Sequence, residues 1–248
     1  MIVSIAQFKS ELGKVYENFS TAARLIEAAQ GSDVILLPEL WSTDYYPTPV
    51  ETFADIDGIK TKEFLCAAAK RFNVNIIGGS VIVQSGGKIF NRCHVVNRRG
   101  EIVAAYDKTH LFSFAGEDKV FNAGDKVSVV TLDGVCCGVA ICYDLRFPEF
   151  IRKIALAGAE IIFIPAAWSL KRLTPRQILT KARAIENQAF VVFANSSGKS
   201  EVVNPRGEVI AESGRGEELL TAQINLDERA KVIATMNLLA DRNLSVDA

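Results

Sequence analysis

Three residues pair reactive side chains with places where a fold exposes them: Cys142, Glu39 and Lys108. Cys142 closes the apolar run Val135-Cys136-Cys137-Gly138-Val139-Ala140-Ile141, and a polar stretch and Pro148 follow it. The run reads as a strand buried on both faces, and Pro148 suits the first turn of a helix. Open α/β sheets bind ligands at the carboxyl ends of their strands, so a thiol there is placed for nucleophilic attack. Glu39 ends Asp33-Val34-Ile35-Leu36-Leu37-Pro38-Glu39 in the same kind of place, where a desolvated carboxylate suits a general base. Lys108 leaves the run Ile102–Tyr106 for a long loop, and a lysine there can hold a developing oxyanion. Histidine is the commoner partner of a catalytic cysteine. The chain has two, His94 within a strand candidate and His110 two residues past Lys108. A Cys142–His110 pair stays open on chemistry alone, although Glu39 and Lys108 supply base and charge without it.

These residues need strands to deliver them. Alternating or continuous apolar patterns give strand candidates at Ile2–Phe8, Val34–Leu37, Val74–Val83, Ile89–Val96, Ile102–Tyr106, Val127–Leu132, Val135–Ile141, Ile161–Ile164, Phe190–Ala194 and Glu218–Ile224. Helical periodicity gives Lys14–Ala29, Thr61–Phe72, Pro148–Ala157, Pro175–Asn187 and Leu226–Met236. Gly86-Gly87 and Arg98-Arg99-Gly100 are hairpin-type turns, so the middle of the chain holds antiparallel pairs while its ends read as βα units. The expectation is a mixed sheet in one α/β domain spanning residues 1–248. The longest irregular stretches, Leu40–Ile59 and Thr109–Lys126, each follow a candidate catalytic residue, as functional loops often do.

Composition narrows the function class. With 248 residues, 49% of them apolar, the chain can build a large core. A net charge of −1 with interspersed signs gives no nucleic-acid footprint and no polybasic membrane face. No apolar run reaches the roughly 18 residues of a membrane span. The N-terminus reads as a first strand rather than a signal peptide. Five cysteines without metal spacing suit a reducing cytoplasm and imply no bound metal. Cys66, Cys93, Cys136 and Cys137 lie inside the elements and read as packing. Trp41, Tyr45, Phe114 and Trp168 stand on or beside the loops, as pocket wall or as core. Lys181, Arg183 and Glu186 share a helix face, either as exposed ion pairs or as a buried network.

Three segments, in this order and at this wide spacing, carry a resemblance: Leu36-Leu37-Pro38-Glu39-Leu40-Trp41, Tyr106-Asp107-Lys108-Thr109-His110-Leu111-Phe112, and Ile141-Cys142-Tyr143-Asp144-Leu145-Arg146-Phe147-Pro148-Glu149. With Pro165–Trp168, Lys181–Asn187 and Asn204–Glu208, the chain resembles the nitrilase, or carbon–nitrogen hydrolase, superfamily over essentially its full length. The resemblance implies a four-layer αββα sandwich, a Glu39–Lys108–Cys142 triad, a second glutamate at Glu117 and the Tyr143 backbone N–H as a further oxyanion donor. It implies no cofactor. It also implies a homodimer or larger homo-oligomer paired through the helices that open at Pro148 and Pro175. Cys142-Tyr143-Asp144-Leu145-Arg146 looks more like the amidase branch that includes ω-amidases than like true nitrilases. The expected substrate is therefore a small carboxylate-bearing amide. Nitrile or N-carbamoyl hydrolysis, or a non-catalytic scaffold, are the alternatives. Substrate-contact candidates are Tyr143, Arg146, Trp168, Tyr45 and Phe114. Arg146 either binds a substrate carboxylate or pairs with a carboxylate of the fold. The segment Asn195–Ser200 and the short stretch Met236–Ala248 depart from the family pattern, which leaves the acyl group open.

Overall fold

Apolar alternation builds two sheets with an apolar layer between them. The computed structural model describes residues 1–243. Its strands are β1 (Ile2–Gln7), β2 (Val34–Leu36), β3 (Asp55–Ile56), β4 (Asn75–Ile77), β5 (Val81–Ser85), β6 (Lys88–Val96), β7 (Ile102–Asp107), β8 (Ser128–Leu132), β9 (Val135–Val139), β10 (Ile161–Ala166), β11 (Phe190–Asn195), β12 (Glu201–Val203), β13 (Val209–Glu212) and β14 (Glu218–Gln223). Its helices are α1 (Val15–Ala28), α2 (Ile59–Phe72), α3 (Pro148–Leu156), α4 (Leu173–Asn187) and α5 (Leu226–Thr235).

The first sheet runs β14-β1-β2-β4-β6-β5-β3, with β7 on the other edge of β6, and the second runs β13-β12-β11-β10-β9-β8. Side chains alternate faces along a strand. Val34 and Leu36 of β2 accordingly enter the layer between the sheets, while Ile35 meets Ala22, Leu25 and Ile26 of α1 and Leu65 and Ala69 of α2 on the outside. Parallel β10, between β9 and β11, is buried at every position, as a strand covered on both faces must be. Phe150, Ile151 and Ile154 of α3 pack on that second sheet. The inner side of α4 is polar instead: Arg176 and Glu201 of β12 form an ion pair at 2.5 Å, both fully buried, and Thr180 donates to the same carboxylate. The layers are thus α, β, β, α, with mixed sheets.

The structure corrects several sequence expectations. The helix expected at Pro175 begins at Leu173, so Pro175 falls within its first turn, where it breaks no hydrogen bond. The run Val135–Ile141 pairs only to Val139, and Cys142 stands in a short 3-10 turn, Cys142–Arg146. The hairpin β12–β13 escaped the apolar pattern because buried Glu201 interrupts it. Trp41 belongs to the core, against Phe19 and Phe64, with its indole N–H donating to the Gly78 carbonyl at 2.8 Å.

The expected strand Val74–Val83 is two strands. Its halves pair in succession with one edge of β6, and Gly78-Gly79-Ser80 breaks them. This break positions Glu39. Ser80 N–H donates to the Pro38 carbonyl at 3.0 Å, and the Ser80 hydroxyl accepts from Leu40 N–H at 3.0 Å, so the chain is pinned on both sides of Glu39. Gly79 has φ +62, and a Cβ there would lie 2.1 Å from the Pro38 carbonyl oxygen. Gly79→Ala therefore combines left-handed strain with overpacking, on the order of 2–4 kcal/mol together. At roughly 2–4 °C per kcal/mol the thermal midpoint should fall by roughly 4–16 °C. Calorimetry checks this, and an unchanged midpoint would show that the Pro38–Glu39 segment does not need this close approach.

Candidate active site

Glu39 follows β2 and Lys108 follows β7, both of the first sheet, while Cys142 follows β9 of the second, so the three meet where the two sheets' strands end. Lys108 is held on both sides: its N–H donates to the Asn91 carbonyl and its carbonyl accepts from Gly124 N–H, each at 2.9 Å. Its ammonium lies 2.7 Å from Glu39 Oε1 and 2.8 Å from Glu117 Oε2, with all three side chains about 1% exposed or less. The Asn91 side-chain amide donates to Glu39 Oε1 at 3.0 Å and Ala167 N–H to Oε2 at 2.9 Å. Phe112 N–H donates to Glu117 Oε2 at 2.7 Å. The polar loop around Glu117 therefore folds inward, and its carboxylate is as buried as the other two side chains.

Burial works on these charges in opposite directions. Desolvation alone would strip the proton from Lys108, but Glu39, Cys142 and Glu117 outweigh it and hold the ammonium well above its usual range. Burial pushes the Glu117 carboxyl up, and the Lys108 ammonium pulls part of that back. Dense protein around the Cys142 thiol desolvates it even though part of the residue faces the pocket; this and the neighbouring Glu39 charge raise the thiol well above its usual value, against the pull of Lys108. The thiol and the Glu39 carboxylate line the same pocket. The arrangement can keep a neutral thiol beside a base and deliver a cation to an oxygen that becomes negative.

Cys142 has φ +44, a conformation that costs a side-chain-bearing residue roughly 1–3 kcal/mol and persists only where its surroundings impose it. Asp144 imposes it. This fully buried carboxylate accepts from Ile141 N–H at 2.8 Å, the Tyr106 hydroxyl at 2.6 Å and His110 N–H at 2.9 Å, and it meets His110 Nδ1 at 2.7 Å. His110 also stacks on Phe147, with ring centroids 3.7 Å apart, so it serves this clamp rather than the Cys142–His110 pairing left open by the sequence. His94 lies buried in β6, where desolvation, with Arg92 and Lys62 nearby, lowers its pKa to about 4. From α4, Arg183 donates to the Leu145 carbonyl at 3.0 Å and to Glu186 at 3.0 Å. The helix face at Lys181, Arg183 and Glu186 thus splits, with Arg183 buried against the nucleophile turn and Lys181 exposed.

A pocket of about 320 Å³ opens on Cys142, and Tyr45, Phe114, Tyr143, Arg146 and Trp168, the five expected contact residues, all line it, within the size range of small-molecule sites. Burial and the nearby Glu39 and Glu117 charges raise the Tyr45 phenol, which stays neutral. The Arg146 guanidinium lies 4.6 Å from the Trp168 ring centroid, and among the described residues no carboxylate pairs with it. Asn195 positions Trp168, accepting from its N–H at 2.7 Å and donating to its carbonyl at 3.0 Å. Sequence reasoning missed Asn91, Ala167 N–H and Arg172, which also lines the pocket. Asn91 had one local signal, an amide alone within an otherwise strand-like run. Asp144 stood in the motif, but nothing local announced four donors for it.

The carbon–nitrogen hydrolase family model matches residues 2–234. A 2-oxoglutaramate amidase from Bacillus subtilis (strain 168) is 39% identical over 240 residues, 93% of each chain. An omega-amidase NIT2-A from Xenopus laevis is 31% identical over 236 residues, 87% of this chain and 86% of that one. The crystal structure of Saccharomyces cerevisiae Nit3, a member of branch 10 of the nitrilase superfamily, superposes with a TM-score of 0.90 at 26% identity, covering 96% of this chain and 94% of that one.

The raised thiol gives a pH prediction. Burial and the Glu39 charge hold the thiol well above its usual range, so the resting site holds Cys142 protonated at neutral pH. The ultraviolet thiolate absorbance of the protein minus that of Cys142→Ser should show no step between about pH 6 and 8. A step in that window would mean a preformed thiolate and no need for a base.

Proposed function

The chain belongs to the carbon–nitrogen hydrolase family, and from that premise we propose that it hydrolyses a small carboxylate-bearing amide, of the 2-oxo-acid amide kind, to the acid and ammonia. The observation that carries this reading is the Glu39–Lys108–Glu117 arrangement beside Cys142, in a pocket that also presents the Arg146 guanidinium. The names of the amidase relatives support the substrate class.

In this reading Glu39 takes the thiol proton and Cys142 attacks the amide carbon. Lys108 and the Tyr143 N–H hold the tetrahedral oxyanion. Glu39 returns the proton to the nitrogen, the C–N bond breaks and ammonia leaves a thioester on Cys142. Water, deprotonated by Glu39 and oriented by Glu117, attacks the thioester; the C–S bond breaks, the thiol recovers a proton and the acid departs. Tyr45, Phe114 and Trp168 wall the acyl group, and Arg146 meets its carboxylate.

We further read the chain as one hydrolase domain that works as a homodimer in a reducing compartment. Leu156 of α3 and Ile178 and Ile185 of α4 are exposed on neighbouring helices, a surface suited to self-pairing, and light scattering of the intact protein decides that point. The activity is tested by ammonia release from 2-oxoglutaramate, glutamine, butyramide, an aliphatic nitrile and an N-carbamoyl amine. The 2-oxo-acid amide should be turned over, Cys142→Ala should be inert, and Lys108→Ala should lose on the order of 100- to 1,000-fold. Turnover of the nitrile or carbamoyl compound alone would move the substrate, and near-normal activity of Cys142→Ala would sink the mechanism.

A further inference from the structure

Two carboxylates in the pocket flank one ammonium, and two further cations remain. Glu39 and Glu117 are both engaged by Lys108. Arg146 and Arg172 line the same pocket, and among the described residues neither has a carboxylate partner. Both hang from one platform. The Arg146 guanidinium lies over the Trp168 ring, and the Trp168 indole N–H donates to the Arg172 carbonyl at 2.9 Å. The Arg172 guanidinium lies 5.3 Å from the Phe112 ring centroid and 5.0 Å from that of Phe114, the aromatics of the loop that carries Glu117. Stacking of this kind holds a guanidinium in place while leaving its N–H donors free.

Resting on the amidase reading above, we propose that Arg172 is a specificity-determining residue: with Arg146 it forms a two-guanidinium clamp that selects an amide ending in a 2-oxo carboxylate. Such a group offers three acceptor oxygens in one plane and no positive charge, which suits two planar donor forks. The corresponding 2-amino acid would bring an ammonium against two guanidinium groups, and like charges disfavour binding. A neutral amide leaves both forks without an acceptor. The clamp thus accounts for selection by charge in a pocket whose other charged residues, Glu39, Lys108 and Glu117, are already paired with one another.

The rival account is that Arg172 only ties down the Phe112–Phe114 loop. A loop tie would affect every substrate alike, whereas the clamp acts on the anionic one. For Arg172→Gln we expect kcat/KM for 2-oxoglutaramate to fall on the order of 10- to 100-fold, chiefly through KM. Butyramide should change little, and the preference over glutamine should shrink. Arg172→Lys, which keeps the charge without the fork, should fall in between. Parallel losses on 2-oxoglutaramate and butyramide would overturn the clamp. A second measurement does not depend on turnover: protection of Cys142 from iodoacetamide by 2-oxoglutarate, compared between the wild-type protein and Arg172→Gln. Protection that weakens in the variant supports the clamp even if no amide of this class is hydrolysed, an outcome that would remove the amidase reading alone. Equal protection in both proteins, or none in either, overturns the clamp.

Discussion

A lysine ammonium buried between two carboxylates is the interaction on which the rest of the site depends. Charges out of water are costly, and they persist only when opposite charges and hydrogen bonds compensate them closely. Here Glu39 and Glu117 flank Lys108 within 2.9 Å, and Asn91, Ala167 and Phe112 N–H groups fill further carboxylate lone pairs. The Cys142 thiol stands against this cluster. Lys108 pulls its proton off while Glu39 and burial hold it on, and the second influence prevails. The nucleophile thus rests neutral, next to the group that can activate it.

The backbone is bent to build this cluster. Leu40, directly after Glu39, and Cys142 both occupy the left-handed region, at φ +48 and +44. Each is held by a specific device. Ser80, beyond the Gly78-Gly79 break, pins the chain around Glu39, and Asp144 gathers Ile141, Tyr106 and His110 around the nucleophile turn. Because Tyr106 belongs to the strand that delivers Lys108 while Ile141 leads into Cys142, this one carboxylate couples the two sheets at the point where the chemistry is placed.

Much of this was legible in the chain. Strand ends announced Glu39, Lys108 and Cys142, because an apolar run that stops at an ionisable residue is a local pattern. The alternation of strands and helices pointed to a mixed sheet in one α/β domain, and the four layers came from the resemblance that the family motifs carry. Other features were illegible because they depend on partners distant in sequence. Gly78-Gly79 looked like part of a continuous strand, since only the approach of Pro38 makes a break there necessary. Glu201 hid β12, because its charge is cancelled by Arg176 from another element. The inward turn of Glu117 is set by Lys108 and Phe112 N–H, not by its own polar loop. Arg172 stands beside Lys171 with no local pattern to mark it, and only the fold brings it over Phe112 and Phe114.

The measurement that tests the central claim most directly is a double-mutant cycle on Lys108 and Glu117, read by chemical denaturation. Removing one member of a buried charge cluster leaves the others uncompensated, so Lys108→Met should cost roughly 3–5 kcal/mol of stability. Adding Glu117→Gln removes one of the stranded carboxylates and should recover a substantial part of that loss, a coupling well beyond the few tenths of a kcal/mol expected of independent sites. Strictly additive effects would contradict the account, because they would mean that the ammonium and the two carboxylates do not hold one another in the interior.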